Sequence, residues 1–350
     1  MSSAPGSDAT SRTRSSAIIG VSGCGVTGFR VVAHLLRAGY RVAVHDPAVT
    51  TSVRDGSRVV VPRGAVAVDV FDDLLVADLV VMCGPAPHAT YVRHCVRAGV
   101  PVVSLGDDLG DVRDMVALDA AAADAQVPLV VGAGMAPGLS GLLVGLLEQQ
   151  VAVVDEVHIA VHGTAGPACA RQHHTALGSA AVGWHDGAWI APPGGSGREL
   201  VWFPEPIAAH DCYRAAMADP LLLQRSAPHA ARISARLSAT RRDRLTARLP
   251  MLTPPHASGD LGSVRAEVRG ALADGARHTV IAGASGATAD LAAAVCAATV
   301  MSMLEVAPSL APGVHSLSDS STRHLDVLSR ATALGVRVQE FTGVARATSW

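Results

Sequence analysis

Three glycines, Gly23, Gly25 and Gly28, follow the apolar run Ala17-Ile-Ile-Gly-Val-Ser. At that spacing a strand can turn sharply at the first and bring bare backbone up to a pyrophosphate at the second. The third lets a helix pack closely on the strand. Cys24 and Val26 complete the turn, and the helix starting there offers free N–H groups and a partial positive charge to an anion. Arg41-Val-Ala-Val-His45 reads as a buried second strand, and Asp46 stands 18 residues beyond Gly28. A carboxylate there would receive the ribose 2′-hydroxyl of NAD; with Pro47 behind it, it would equally cap a turn. No Arg follows at once, which favours NAD. Arg54 and Arg58 are near enough in sequence to meet a 2′-phosphate, so NADP also fits.

Proton chemistry has several candidates. Gly84 and Pro85 end a buried strand, and His88 just beyond them would stand beside a nicotinamide as a general acid or base; a solvent-facing helix start is the plain alternative. Asp107 and Asp108 follow a later strand, one suited to capping the next helix and the other to facing the cleft. Arg171-Gln-His-His174 follows the strand ending at His162. An Arg fork holds a carboxylate bidentately, and His173 or His174 would take an amine proton near neutral pH. Arg171 and His162 are thus expected toward the substrate. Spacing gives the His pair no third ligand, so no metal is expected. Asp211, Tyr213 and Arg214 form a second polar cluster that reads as a helix start or a substrate cover.

Composition narrows the chemistry. All 28 basic residues are Arg, with neither Lys nor Asn in 350 residues, which excludes a Schiff-base enzyme, a phosphate-loop NTPase and a Lys general acid. A formal charge of −2 gives no pull toward nucleic acid, and the basic run Arg236 to Arg248 lacks interleaved aromatics; it reads as a solvated face or an interface. The six dispersed cysteines read as reduced, buried small hydrophobes of a cytoplasmic protein. Val127 to Leu147 is uncharged for 21 residues, but its glycines suit a buried strand, a turn and a core helix rather than a membrane span.

Strands alternating with helices through residue 131 imply an α/β fold, a Rossmann-type doubly wound parallel sheet. From residue 151 the apolar and polar residues alternate as in a mixed sheet with one face covered, giving a second α/β domain. The expected divisions are a disordered tail over 1–16 with no signal-peptide character, a dinucleotide domain over 17–136, a substrate and dimerisation domain over 137–310, and a segment over 311–350 packing back on the first domain. Helical patterns are expected over 90–99, 111–126 and 287–306, and a strand over 65–70. Trp184, Trp189 and Trp202 bracket a Gly/Pro loop and are expected to pack its hairpin.

Together, the glycine segment, Val80-Val-Met-Cys-Gly-Pro-Ala-Pro-His88 running on to Asp108, and Val131-Gly-Ala-Gly-Met-Ala-Pro-Gly-Leu-Ser140 resemble the saccharopine dehydrogenase family. Pro312-Gly-Val-His-Ser-Leu, with the later Leu328 and Gly335-Val, is similar to that family's terminal helix region. The resemblance implies an NAD(P)-linked oxidoreductase at the carbon–nitrogen bond of an amino acid, amine or imine. A homodimer is expected through the second domain. A proton route through Lys cannot carry over, since this chain has none. A homospermidine-synthase-like transferase using NAD transiently, and a dinucleotide-binding protein without catalysis, are the other readings.

Overall fold

The computed structural model describes residues 16–48, 60–251, 255–306, 310–319 and 324–341. Arg54, Arg58 and residues 1–15 of the expected tail lie outside the described residues. The first sheet takes β1 (Ile18–Ser22), β2 (Arg41–His45), β3 (Val66–Ala67), β4 (Leu79–Met82), β5 (Val102–Ser104) and β6 (Pro128–Val131) from the amino-terminal half of the chain. Its last member, β15 (Gly313–Ser316), comes from near the far end. The seven strands run parallel in the order β15-β6-β5-β4-β1-β2-β3. That order reverses between β1 and β4, and ligands bind such sheets in the crevice beyond the carboxyl ends of the strands at the reversal.

Local sequence explains the connecting helices. In α1 (Val26–Arg37), Gly28, Val31, Val32 and Leu35 form a buried stripe at helical spacing. α2 (Ala89–Arg97) buries Ala89, Val92, Cys95 and Val96 in the same way. The helix expected over 111–126 is two, α3 (Leu109–Val116) and α4 (Asp119–Asp124), with Ala117 and Leu118 between them. The strand expected over 65–70 shrinks to β3, because only Val66 and Ala67 pair with β2 at this sheet edge. Within the segment compared above to a terminal helix region, Gly313 to Ser316 form β15, and Leu328 lies in α10 (His324–Ala333), after which Gly335 and Val336 follow.

The second sheet is mixed. β7 (Val153–His162) runs parallel to β12 (Arg232–Ser238) and antiparallel to β13 (Leu261–Ala271). β14 (Arg277–Ala287) and β16 (Val338–Glu340) extend it on one side, and β11 (Ala209–Arg214) and β10 (Glu199–Trp202) on the other. The hairpin β8 (Gly183–His185) and β9 (Ala188–Ile190) branches off β12, where Trp184 meets Trp189 edge-on at 5.2 Å. Trp202 instead stands exposed on β10. Alternation sends Val264, Ala266 and Val268 into the core. The opposite face holds Glu267 between Arg265 at 2.6 Å and Arg269 at 2.5 Å. Asp211, Tyr213 and Arg214 belong to β11 rather than to a helix start; Tyr213 is buried under the guanidinium of Arg244, 4.2 Å from its ring centre, in α8 (Arg241–Thr246).

Helices join the sheets. α5 (Leu139–Leu147) is buried along its length and packs on β13 and β14. α9 (Thr288–Glu305) lies along α1 and α10, tied to them by Arg30–Asp290 and Arg330–Glu305, and Tyr40, just before β2, bonds Glu305 as well. By composition α9 could cross a bilayer, yet 78% of it is buried inside the protein. α7 (Asp219–Ser226) packs on β12 and α5, and α6 (Pro167–Gly178) meets α8. Residues of both sheets share one continuous apolar core. The segment over 311–350 does not pack on the first domain alone: β15 joins the first sheet and β16 pairs with β14 in the second.

Candidate active site

A cleft of about 740 Å³ lies beyond the carboxyl ends of β1, β2, β4 and β5, closed on its far side by α6 and the start of α9. Gly23 makes its tightest corner. Its φ is +94°, and a Cβ there would lie 2.3 Å from the backbone nitrogen of Gly84; any side chain would push the β1 and β4 turns apart. Gly28 packs just as closely, since a Cβ on it would sit 2.1 Å from the Gly23 carbonyl oxygen. Gly25 differs: nothing lies within 4 Å of its would-be Cβ, so this position faces open cleft. α1 starts at Gly25 with no side-chain cap and no acid in its first turn, leaving its leading N–H groups for an anion.

Asp46 fulfils the capping expectation and lines the cleft as well. Its Oδ2 accepts from the Cys24 amide at 2.6 Å and its Oδ1 from the Ala48 amide at 2.9 Å. Gly84 and Pro85 line the wall opposite, while Cys24 is buried beneath the turn. Val26 lines the cleft; Pro47 does not.

At the far end, Asp107 from the β5–α3 connection meets two side chains of α6. Cys169 and His173 lie one helical turn apart, with Cys169 Sγ 3.7 Å from His173 Nε2, and donor atoms of all three residues lie within 4.8 Å of one another. Burial raises the pKa of Asp107, an effect that His173 opposes. Burial lowers that of His173, against the pull of Asp107 and Asp219, and pushes the Cys169 thiol up to about 12. Arg171 lines the same cleft, exposed and without an ion pair among the described residues. Asp108 stays out of the cleft. It caps α3 by accepting from the Asp111 amide at 2.8 Å and holds Gln172 of α6 at 2.9 Å.

Three sequence candidates lie elsewhere. His88 is buried and does not reach the cleft. Its Nε2 donates to the Gly84 carbonyl at 2.7 Å, its Nδ1 faces the Ser104 hydroxyl at 2.8 Å, and Asp111 accepts its backbone amide. With both ring nitrogens engaged, it is a brace that fixes the Gly84 turn against β5, not an acid or base at the nicotinamide. His174 is one residue past His173, so the helix turns it away to donate to the Leu249 carbonyl at 2.8 Å. His162 alternates with Val161, which lines the cleft; it therefore points to the opposite face of the second sheet, stacked on His210 at 4.1 Å and bonded to Ser238 at 2.9 Å. Sequence reasoning missed Cys169, which it took for a buried hydrophobe. The usable signal was Cys169-x-x-x-His173, two donors on one helix face.

No protein-family model matches the sequence, and no curated protein does. Among solved structures, the chain is similar to apo saccharopine dehydrogenase (L-Glu forming) from Saccharomyces cerevisiae, with a TM-score of 0.67 over 93% of this chain and 100% of the other, at 14% identity. A variant of meso-dapdh from Clostridium tetani, solved with DAP, covers 90% of this chain and 95% of its own at 16% identity, with a TM-score of 0.49. At such identity a likeness speaks for the fold alone. Across nearly its whole length, this chain has the fold of saccharopine dehydrogenase.

Proposed function

We propose that the protein is an NAD-dependent oxidoreductase that moves a hydride at the carbon–nitrogen bond of an amino-acid-like amine or imine. One observation carries this reading: a single cleft joins an anion-ready glycine turn to a cluster of proton-exchanging groups and to Arg171, which has no ion pair among the described residues. The glycine turn and the amides of α1 would hold the pyrophosphate. Asp46, already fixing the turn through Cys24, would meet the ribose and disfavour a 2′-phosphate by charge, so NAD is preferred to NADP. NAD, when bound, accepts the hydride.

The rest falls to the chain's own side chains. Arg171 holds a substrate carboxylate. As the amine carbon gives up its hydride, the nitrogen proton passes to the Asp107–Cys169–His173 cluster, since the chain has no Lys to take it. The likeness to saccharopine dehydrogenase in fold agrees with this chemistry. A small-molecule substrate, a cytoplasmic setting and a homodimer belong to the same reading.

Calorimetry with NAD and NADP, followed by a panel of amines, amino acids and keto acids monitored at the NADH absorbance band, tests it. The expected result is micromolar NAD binding and turnover of a carboxylate-bearing amine. Cofactor binding without turnover of any amine would leave a non-catalytic dinucleotide protein. Turnover with no net NADH change would point to a transferase.

A further inference from the structure

We propose that Asp107, Cys169 and His173 form a zinc site at the floor of the cleft, with its fourth position open toward the substrate. The donor set is a thiolate sulfur, an imidazole nitrogen and a carboxylate oxygen, the combination zinc accepts when three protein ligands leave one position free. Distance supports the assignment. Tetrahedral zinc with bonds of about 2.3 Å to sulfur and about 2.0–2.1 Å to nitrogen separates those two donors by roughly 3.6 Å. Cys169 Sγ and His173 Nε2 are 3.7 Å apart, and the Asp107 carboxylate lies within 4.8 Å of both. The ligands also stand on firm supports: two share one face of α6, and the third precedes an α3 whose cap, Asp108, is bonded back to Gln172 of α6.

A second observation comes from outside the triad. Asp219 is 1% exposed; Ser140 donates to its Oδ1 at 2.5 Å, while its Oδ2 has no hydrogen-bond partner among the described residues. It is close enough for its charge to bear on His173. Its charge bears on Asp107 as well, so a cation among the three ligands would also offset this buried, half-satisfied carboxylate. On binding, a sulfur–zinc bond replaces the S–H bond of Cys169, and the proton passes to water. The inference deepens the reading above and rests on it: with zinc in place, the three side chains would act as ligands, and a hydroxide in the open fourth position would take the amine proton and become water. It also accounts for a proton site built without Lys.

The test uses the full chain, stripped with a chelator and titrated with zinc and, separately, with cobalt as a spectroscopic stand-in. Expected are one equivalent of tightly held zinc and a cobalt–thiolate charge-transfer band. Cys169→Ser should abolish the band, and Cys169→Ser and His173→Gln should each weaken zinc binding by at least about 100-fold. His174→Gln should change neither, and an unaltered circular dichroism spectrum checks that each variant is folded. A wild type without the band, or zinc binding unmoved by Cys169→Ser, overturns the proposal. Zinc held without NAD would sink the cofactor reading and leave this one standing; NAD held without the cobalt band would do the reverse.

Discussion

The two ends of the cleft are built by different means. At one end, Gly23 to Gly28 form a contiguous turn whose shape follows from missing side chains. At the other, Asp107 meets Cys169 across 62 residues of sequence, and only the docking of α6 against the β5–α3 connection brings them together. A contiguous turn tolerates distant change but no local bulk. An assembled cluster should tolerate local bulk better than loss of a functional group. Substitutions at each end can break or sharpen that contrast.

The largest effect is expected at the cluster. His173→Ala should lower kcat by about 10²–10⁴-fold, with NAD affinity within about 3-fold of wild type by calorimetry; an equal loss in both would merge the two ends. Next comes the turn. Gly25→Val places its side chain in open cleft, so NAD affinity should fall by about 100-fold while thermal unfolding moves little. Gly23→Ala should behave otherwise, destabilising the fold by about 2–4 kcal/mol in urea unfolding, since its Cβ meets backbone at 2.3 Å at a φ of +94°. Between the ends, Arg171→Ala should raise substrate KM by roughly 10–100-fold and leave the NAD dissociation constant unchanged. Unchanged substrate kinetics would remove Arg171 from the site.

The smallest effect lies away from the cleft. Burial, and then the neighbouring His210, lower the His162 pKa to about 4 from an ordinary 6.5, with Asp260 opposing. The unfolded chain therefore takes up this proton first as pH falls. Stability attributable to His162 is present above pH 6.5, declines between 6.5 and 4, and levels off below that. His162→Phe, which keeps a ring against Phe203 and His210, should flatten that part of the acid limb, moving Tm at pH 5 by about 2–4 °C relative to wild type. An unchanged slope would show that other groups carry it.

What the sequence disclosed follows the same divide. The glycine turn, the buried stripe of α1 and the alternation of β7 and β13 are short-range patterns, and the structure has them close to where periodicity puts them. Pairings over long distance were beyond such patterns: that β15 would be a strand in the first sheet depends on β6, not on Gly313 to Ser316 alone. The histidines show the limit most clearly. His88, His162, His173 and His174 look alike as titratable residues near strand ends or a helix start, yet only His173 faces the cleft. Helical rotation turns His174 out, strand alternation turns His162 to the far face, and bonds to Gly84 and Ser104 hold His88 in the core.

The pairing of β15 with β6, and of β16 with β14, has a consequence for biosynthesis. Until the ribosome has released Gly313 and then Val338, each sheet carries an uncovered margin of amides and carbonyls able to recruit a neighbouring polypeptide. A nascent or truncated chain lacking both strands is therefore expected to aggregate or to need a chaperone, however well its glycine turn has already formed.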